Sequence, residues 1–132
     1  MQPFKWRILL LVHDHFPIRD ELRHLLASHD DIEIIGEASD GRQALEVVAA
    51  HRPDVVLLEI NMPNLNGTEA VSLLRKWWTE TEIIGLCLIQ DAYITGAFLR
   101  AGAVAMISKD RLDHLHSTIQ QACRNRRARL SA

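Results

Sequence analysis

Five residues of this 132-residue chain could do chemistry, and each stands at or near the end of an apolar run. His13 and Asp14 follow Ile8-Leu9-Leu10-Leu11-Val12. Glu59 closes Val55-Val56-Leu57-Leu58. Cys87 lies near the end of Ile83-Ile84-Gly85-Leu86-Cys87-Leu88. Lys109 follows Ala103-Val104-Ala105-Met106-Ile107 and Ser108. Two carboxylates, joined by the Asn61 carbonyl just beyond Glu59, are oxygen ligands for a hard cation. An imidazole beside them shifts the set toward Zn²⁺ or Mn²⁺. A thiol near an ammonium has a lowered pKa and suits redox sensing. The bland readings are a hydrogen-bonded cluster for His13, Asp14 and Glu59, and a small buried hydrophobe for Cys87.

Continuous apolar runs suit strands buried on both faces, as in a parallel sheet covered by helices. Between them lie helical patterns. Ile18, Leu22, Leu25 and Leu26 fall at i, i+4, i+7 and i+8. Ala44, Leu45 and Val48 mark a second helix, with Asp40 as its N-cap and Pro53 barring its continuation. Ala70, Val71 and Leu74 mark a third, ending at Trp77-Trp78, of which only one ring can face the core. Ile94, Ala97, Phe98 and Ala101 mark a fourth that stops at Gly102, a natural C′ residue. Leu112, Leu115, Ile119 and Ala122 mark the last. Ile32-Glu33-Ile34-Ile35-Gly36-Glu37-Ala38 alternates as a half-exposed edge strand would. Strands and helices alternating five times predict an α/β doubly wound parallel sheet. Chemistry in such sheets gathers outside the carboxyl ends of the strands.

The totals fit one domain with a real core. Net charge is −2, which gives the whole-chain field no bias toward nucleic acid or membrane. No signal peptide or membrane-length apolar stretch is present, so a cytoplasmic protein is expected. Cys87 and Cys123 match no metal spacing and are expected as free thiols. Residues 1–123 read as the domain. Residues 124–132, with Arg124, Arg126, Arg127 and Arg129, read as a basic tail: the frayed end of the last helix or the start of a linker.

The motifs carry a resemblance. Leu11-Val12-His13-Asp14-His15, Gly36-Glu37-Ala38-Ser39-Asp40-Gly41, Arg52-Pro53-Asp54-Val55-Val56-Leu57-Leu58, Asn61-Met62-Pro63 with Gly67, and Ala101-Gly102-Ala103 ending in Lys109-Asp110 stand at the family's spacing. Over roughly residues 6 to 122 the chain resembles a response-regulator receiver domain of two-component signal transduction, in the branch that carries a NarL/LuxR-type helix-turn-helix output domain. The resemblance implies a flavodoxin-like, CheY-like fold with strand order 2-1-3-4-5. It also implies a homodimer through the fourth helix, fifth strand and fifth helix, about Ala92 to Ala122. It implies no enzyme. Residues after Asp110 are too few for an output domain, so DNA contact is expected only from residues beyond this chain.

Several positions depart from the family's pattern. The family's phosphoacceptor aspartate corresponds to Glu59, and one of its two metal-holding acids to His13. The hydroxyl residue of its fourth strand corresponds to Cys87, and the aromatic switch residue of its fifth to Met106. Asp14 and Lys109 are unchanged. Glutamate reaches one C–C bond further, roughly 1.5 Å, and a misplacement on that scale costs about 10²-fold in a positioned reaction. The Mg²⁺ ligands would be Asp14, Glu59 and Asn61, beside an imidazole that is the wrong donor, so the site is expected weak or lost. Glu59 would imitate a phosphoryl group with about one charge in place of roughly 1.5 to 2, and Lys109 would pair with it. A thiol donates poorly, and Met106 lacks a ring's two discrete positions. An atypical receiver that needs no cofactor and no histidine kinase is therefore expected. The alternatives are a receiver still phosphorylated in a Mg²⁺-dependent reaction, and a metal- or redox-sensing module.

Overall fold

A computed structural model of the chain describes residues 5–11, 16–38, 41–59, 67–78, 80–87 and 91–131. Strands and helices alternate as β1 (Trp6–Leu11), α1 (Phe16–Ala27), β2 (Ile32–Ala38), α2 (Gly41–His51), β3 (Val55–Glu59), α3 (Gly67–Trp77), β4 (Glu82–Cys87), α4 (Ala92–Ala101), β5 (Ala105–Ser108) and α5 (Leu115–Ser131), with a 3₁₀ helix at Lys109–His114. The sheet has the order β2-β1-β3-β4-β5, every neighbouring pair parallel, which is the predicted architecture.

Side-chain alternation along the strands divides the core in two. Ile8, Val55, Leu57, Ile84, Leu86 and Ile107 face Leu22 and Leu26 of α1 and Leu115, Ile119 and Cys123 of α5. Val56, Leu58 and Ile83 face Ala44 and Val48 of α2, Val71 and Leu74 of α3, and Phe98 of α4. All five residues of β3 are buried, as a strand covered on both faces requires. The edge strand β2 is only partly covered, and its register against β1 shifts between Ile8 and Leu9, an irregularity edges tolerate. Trp77 is 65% exposed while Trp78 packs on the α2–α4 side, so one ring of the pair does face outward.

The ends of α4 are fixed by local chemistry. The Asp91 carboxylate accepts the N–H groups of Tyr93 at 2.8 Å and Ile94 at 3.2 Å, satisfying two otherwise unpaired donors. Gly102 takes φ 126°, a conformation side chains resist, and its N–H returns to the carbonyls of Phe98 and Leu99. Arg75 of α3 donates to the Gly102 carbonyl at 2.8 Å and ties the two helices together.

Boundaries differ from the periodic pattern at the chain's end. β5 begins at Ala105 rather than Ala103, and Leu112 lies in the 3₁₀ helix, so α5 starts at Leu115. The larger correction concerns residues 124–131. They continue α5 without a break to Ser131 instead of fraying at Cys123. The reason is pairing with acids at the amino ends of the strands. Arg126 Nη1 donates to Asp54 at 3.2 Å, and Arg129 Nη2 to Glu82 at 2.5 Å. The Arg127 guanidinium lies 4.9 Å over the Trp6 ring. Asp54 also accepts the Arg7 N–H at 2.8 Å, which joins α5 to β1 and β3.

The amino end of β2 is tied to the same helix. The Asp31 carbonyl accepts the Trp6 N–H at 2.7 Å. Its carboxylate accepts Gln120 Nε2 at 3.1 Å and lies 2.8 Å from His116 Nε2. Burial pushes that carboxyl's pKa up, but the hydrogen bonds from His116 and Gln120 outweigh it and hold it below the ordinary value.

Glu82 is 1% exposed, so its carboxylate depends on cationic company. Arg129→Ala is expected to lower stability by about 1–3 kcal/mol, because the acid is left buried. Glu82→Gln in the same chain should recover part of that loss. Urea unfolding of the two single variants and the double variant measures both effects.

Candidate functional site

The carboxyl ends of the three strands β3, β4 and β5 bring part of the predicted constellation together. Glu59 is the last residue of β3 and pairs in register with Leu86, one residue short of Cys87. Cys87 ends β4 and pairs with Ser108, which ends β5 just before Lys109. His13, Asp14 and Asn61 lie outside the described residues, as does the Lys109 side chain. So do the predicted N-cap Asp40 and the loop ahead of α3.

Glu59 is buried, at 8% exposed, although it stands at the rim of the sheet. Alternation assigns it to the face of Val55 and Leu57, toward α1 and α5. Cys87 follows the opposite alternation, that of Ile83, toward α3 and α4. Cys87 stands one residue beyond Leu86, the partner of Glu59, so the two lie at neighbouring strand ends. Cys87 is buried, and its Sγ lies 3.6 Å from the Ile107 carbonyl. Ser108 is also buried and gives its hydroxyl to the Asp110 carboxylate.

Met106 does not point away from the domain. It packs partly buried on the α2–α4 side, over β4, where Gly85 leaves room for it. A Cβ at Gly85 would run into Met106 Sδ and lie 3.2 Å from Phe98 Cδ1. The glycine inside β4 thus has a packing reason, one that its place in an apolar run conceals.

Neither thiol offers an exposed nucleophile. Burial, reinforced by the Asp54 carboxylate, pushes Cys123 up to about 12. Both cysteines are buried, and neither is in a disulfide.

Sequence reasoning missed three features. Asp91 was legible, being an acid directly before the helical pattern of α4. The arginine pairs of α5 and the contact of His116 with Asp31 were not, because their partners stand 47 to 85 residues away.

A parallel five-stranded sheet in the order 2-1-3-4-5, with acid, thiol and hydroxyl side chains at its carboxyl ends, is an open α/β module of the flavodoxin-like class. The chain belongs to the response regulator receiver domain family, whose model matches residues 9–120. It is 36% identical over 102 residues to the uncharacterized transcriptional regulatory protein YhcZ of Bacillus subtilis, covering 77% of this chain and 48% of that protein. It is 32% identical over 102 residues to the nitrate/nitrite response regulator NarL of Escherichia coli, covering 77% and 47%. The chain thus spans about half the length of these relatives. Among solved structures, the response regulator domain of Thermotoga maritima CheB superposes with a TM-score of 0.83 at 32% identity, covering 91% of this chain and 97% of that one. The signal receiver domain of the putative response regulator NarL of Mycobacterium tuberculosis gives 0.83 at 29% identity, covering 91% and 98%. Among the described residues no helix is long and apolar enough to cross a membrane.

Cys87 and Cys123 should resist a thiol reagent in the native domain and react stoichiometrically once it is unfolded in urea. Gly85→Ala should cost about 1–3 kcal/mol by crowding Met106 and Phe98. Met106→Ala in the same chain should relieve part of that cost, as unfolding midpoints would register.

Proposed function

We propose that this receiver domain works without a phosphorylation cycle, as the regulatory module of a DNA-binding transcriptional regulator. The observation that carries the reading is a glutamate, 8% exposed, as the last residue of the buried central strand. In the family this is where the resemblance sets the acceptor aspartate. A carboxylate lengthened by a methylene crowds the volume an incoming phosphoryl group needs, and it brings a permanent negative charge there. The donors available for Mg²⁺ do not suit it, because an imidazole at residue 13 replaces an oxygen. Cys87 supports the same reading: a buried thiol directed at a backbone carbonyl is a poor hydroxyl substitute for answering a phosphoryl group. Glu59 then holds the crevice in one state, with Lys109 as its partner, and neither a histidine kinase nor a cofactor is required.

The relatives named as transcriptional regulatory proteins are longer than this chain, and the reading assigns DNA recognition to an output domain outside the residues of this chain. The Thermotoga maritima protein-glutamate methylesterase/protein-glutamine glutaminase is matched over only 30% of its length, and the reading assigns no enzymatic activity here. A cytoplasmic regulator that pairs with a second copy through α4, β5 and α5 fits the outer surface. Tyr93, Ile94, Leu99 and Val104 are large apolar side chains exposed on or beside those elements.

Intact-mass measurement after incubation with acetyl phosphate and Mg²⁺ tests the proposal. The expected spectrum shows the unmodified chain, both for the wild type and for Glu59→Asp, since His13 and Cys87 persist in the latter. A mass gain of one phosphoryl group on the wild-type chain overturns it.

A further inference from the structure

A second group of chemically capable side chains stands at the opposite end of the sheet. His29 and Asp31 lie in the loop between α1 and β2, and His116 lies in the first turn of α5. We propose that His29, Asp31 and His116 bind a divalent transition-metal ion of the zinc class, and that this ion fastens α5 to the α1–β2 loop.

One ligand atom from each residue falls within 4.8 Å of the other two. His116 Nε2 is 2.8 Å from Asp31 Oδ1. The His29 and His116 rings stack with centroids 3.6 Å apart and planes 6° from parallel. Donors bound about 2.0–2.2 Å from a four-coordinate ion stand roughly 3.3–3.6 Å from one another. The ion replaces the proton between His116 and Asp31, and the His29 ring turns off the stack to complete the set. The backbone need not move for this. The His29 N–H is held by the Leu26 carbonyl at 3.1 Å, its carbonyl by the Ile32 N–H at 3.3 Å, and the Asp31 carbonyl by Trp6.

The chemistry of the set selects the ion. Two imidazole nitrogens and one carboxylate oxygen suit Zn²⁺, Co²⁺ or Ni²⁺ and disfavour Mg²⁺. The second carboxylate oxygen accepts Gln120 Nε2, an outer contact of the kind that orients a metal-bound carboxylate. All three residues are partly exposed, which gives the ion an entry path and leaves water the fourth position. The plain alternative is a stacked, hydrogen-bonded latch between loop and helix with no affinity for metal.

Titration of the full chain with Zn²⁺ in a calorimeter, and with Co²⁺ by visible absorption, separates the two. One saturable equivalent is expected, with the intense visible bands of four-coordinate Co²⁺ and a raised unfolding temperature in Zn²⁺. His29→Gln and His116→Gln, each checked for native circular dichroism, should lose that equivalent. Gln120→Ala should weaken it about 10- to 100-fold. Absence of a saturable equivalent overturns the proposal, and so does binding that survives the His29→Gln/His116→Gln double variant. Loss of the ion in Glu59→Gln, with these variants still binding, moves it to the other end of the sheet and overturns the proposal equally.

Discussion

The architecture depends on a strand with no free side. β3 is hydrogen-bonded to β1 along one edge and to β4 along the other, and all five of its residues are buried. Each of Val55, Val56, Leu57 and Leu58 contributes about 1.5–3 kcal/mol by leaving water, against a net stability of roughly 5–15 kcal/mol for a typical domain. A slip of one residue would exchange the side chains facing α1 and α5 with those facing α2, α3 and α4. The register is therefore closely specified, and with it the place of Glu59. Burying a carboxylate at this rim costs folding energy that an apolar residue would not. Packing alone does not account for an acid there.

Legibility in the sequence followed the range of the interactions. β1, β3 and β4 stood out because two-sided burial leaves uninterrupted apolar runs, and the helices because one apolar stripe repeats every three to four residues. Glu59 and Cys87 could be set at strand ends for the same reason. The misjudged edges have particular causes. Ala103 and Val104 look like strand, yet Ala103 closes α4 by bonding to the Phe98 carbonyl, and Val104 is 43% exposed. Leu112 continues the helical spacing, but Arg111 breaks it at φ −125° and ψ 37°. The arginines after Cys123 looked solvated because nothing near them in the chain is acidic. Asp54 and Glu82 become their neighbours only when the sheet is assembled.

The two ends of the sheet are built differently. At the amino end, Asp31, Asp54 and Glu82 each hold a side chain of α5, so that helix is bound to the body along most of its length. At the carboxyl end, Glu59, Cys87 and Ser108 are themselves buried. Among the described residues the amino end is fastened by charged pairs between acids of the sheet and side chains of α5.

Met106 lies between β5 and α4. It rests in the space over Gly85, against Phe98, and therefore couples β5 to α4 by dispersion contacts alone. A planar ring at this place would exchange between discrete positions. An unbranched thioether fills the gap through many small adjustments. Coupling between sites needs an element with two arrangements whose balance both sites bias. On the proposed reading, a fixed carboxylate at one end and a compliant side chain in the middle stand where a phosphate-driven switch would need two discrete arrangements. The outer surface with Tyr93 at 80% exposed and Leu99 at 44% is where the proposed reading sets a partner, whose contact there would need no change at Glu59.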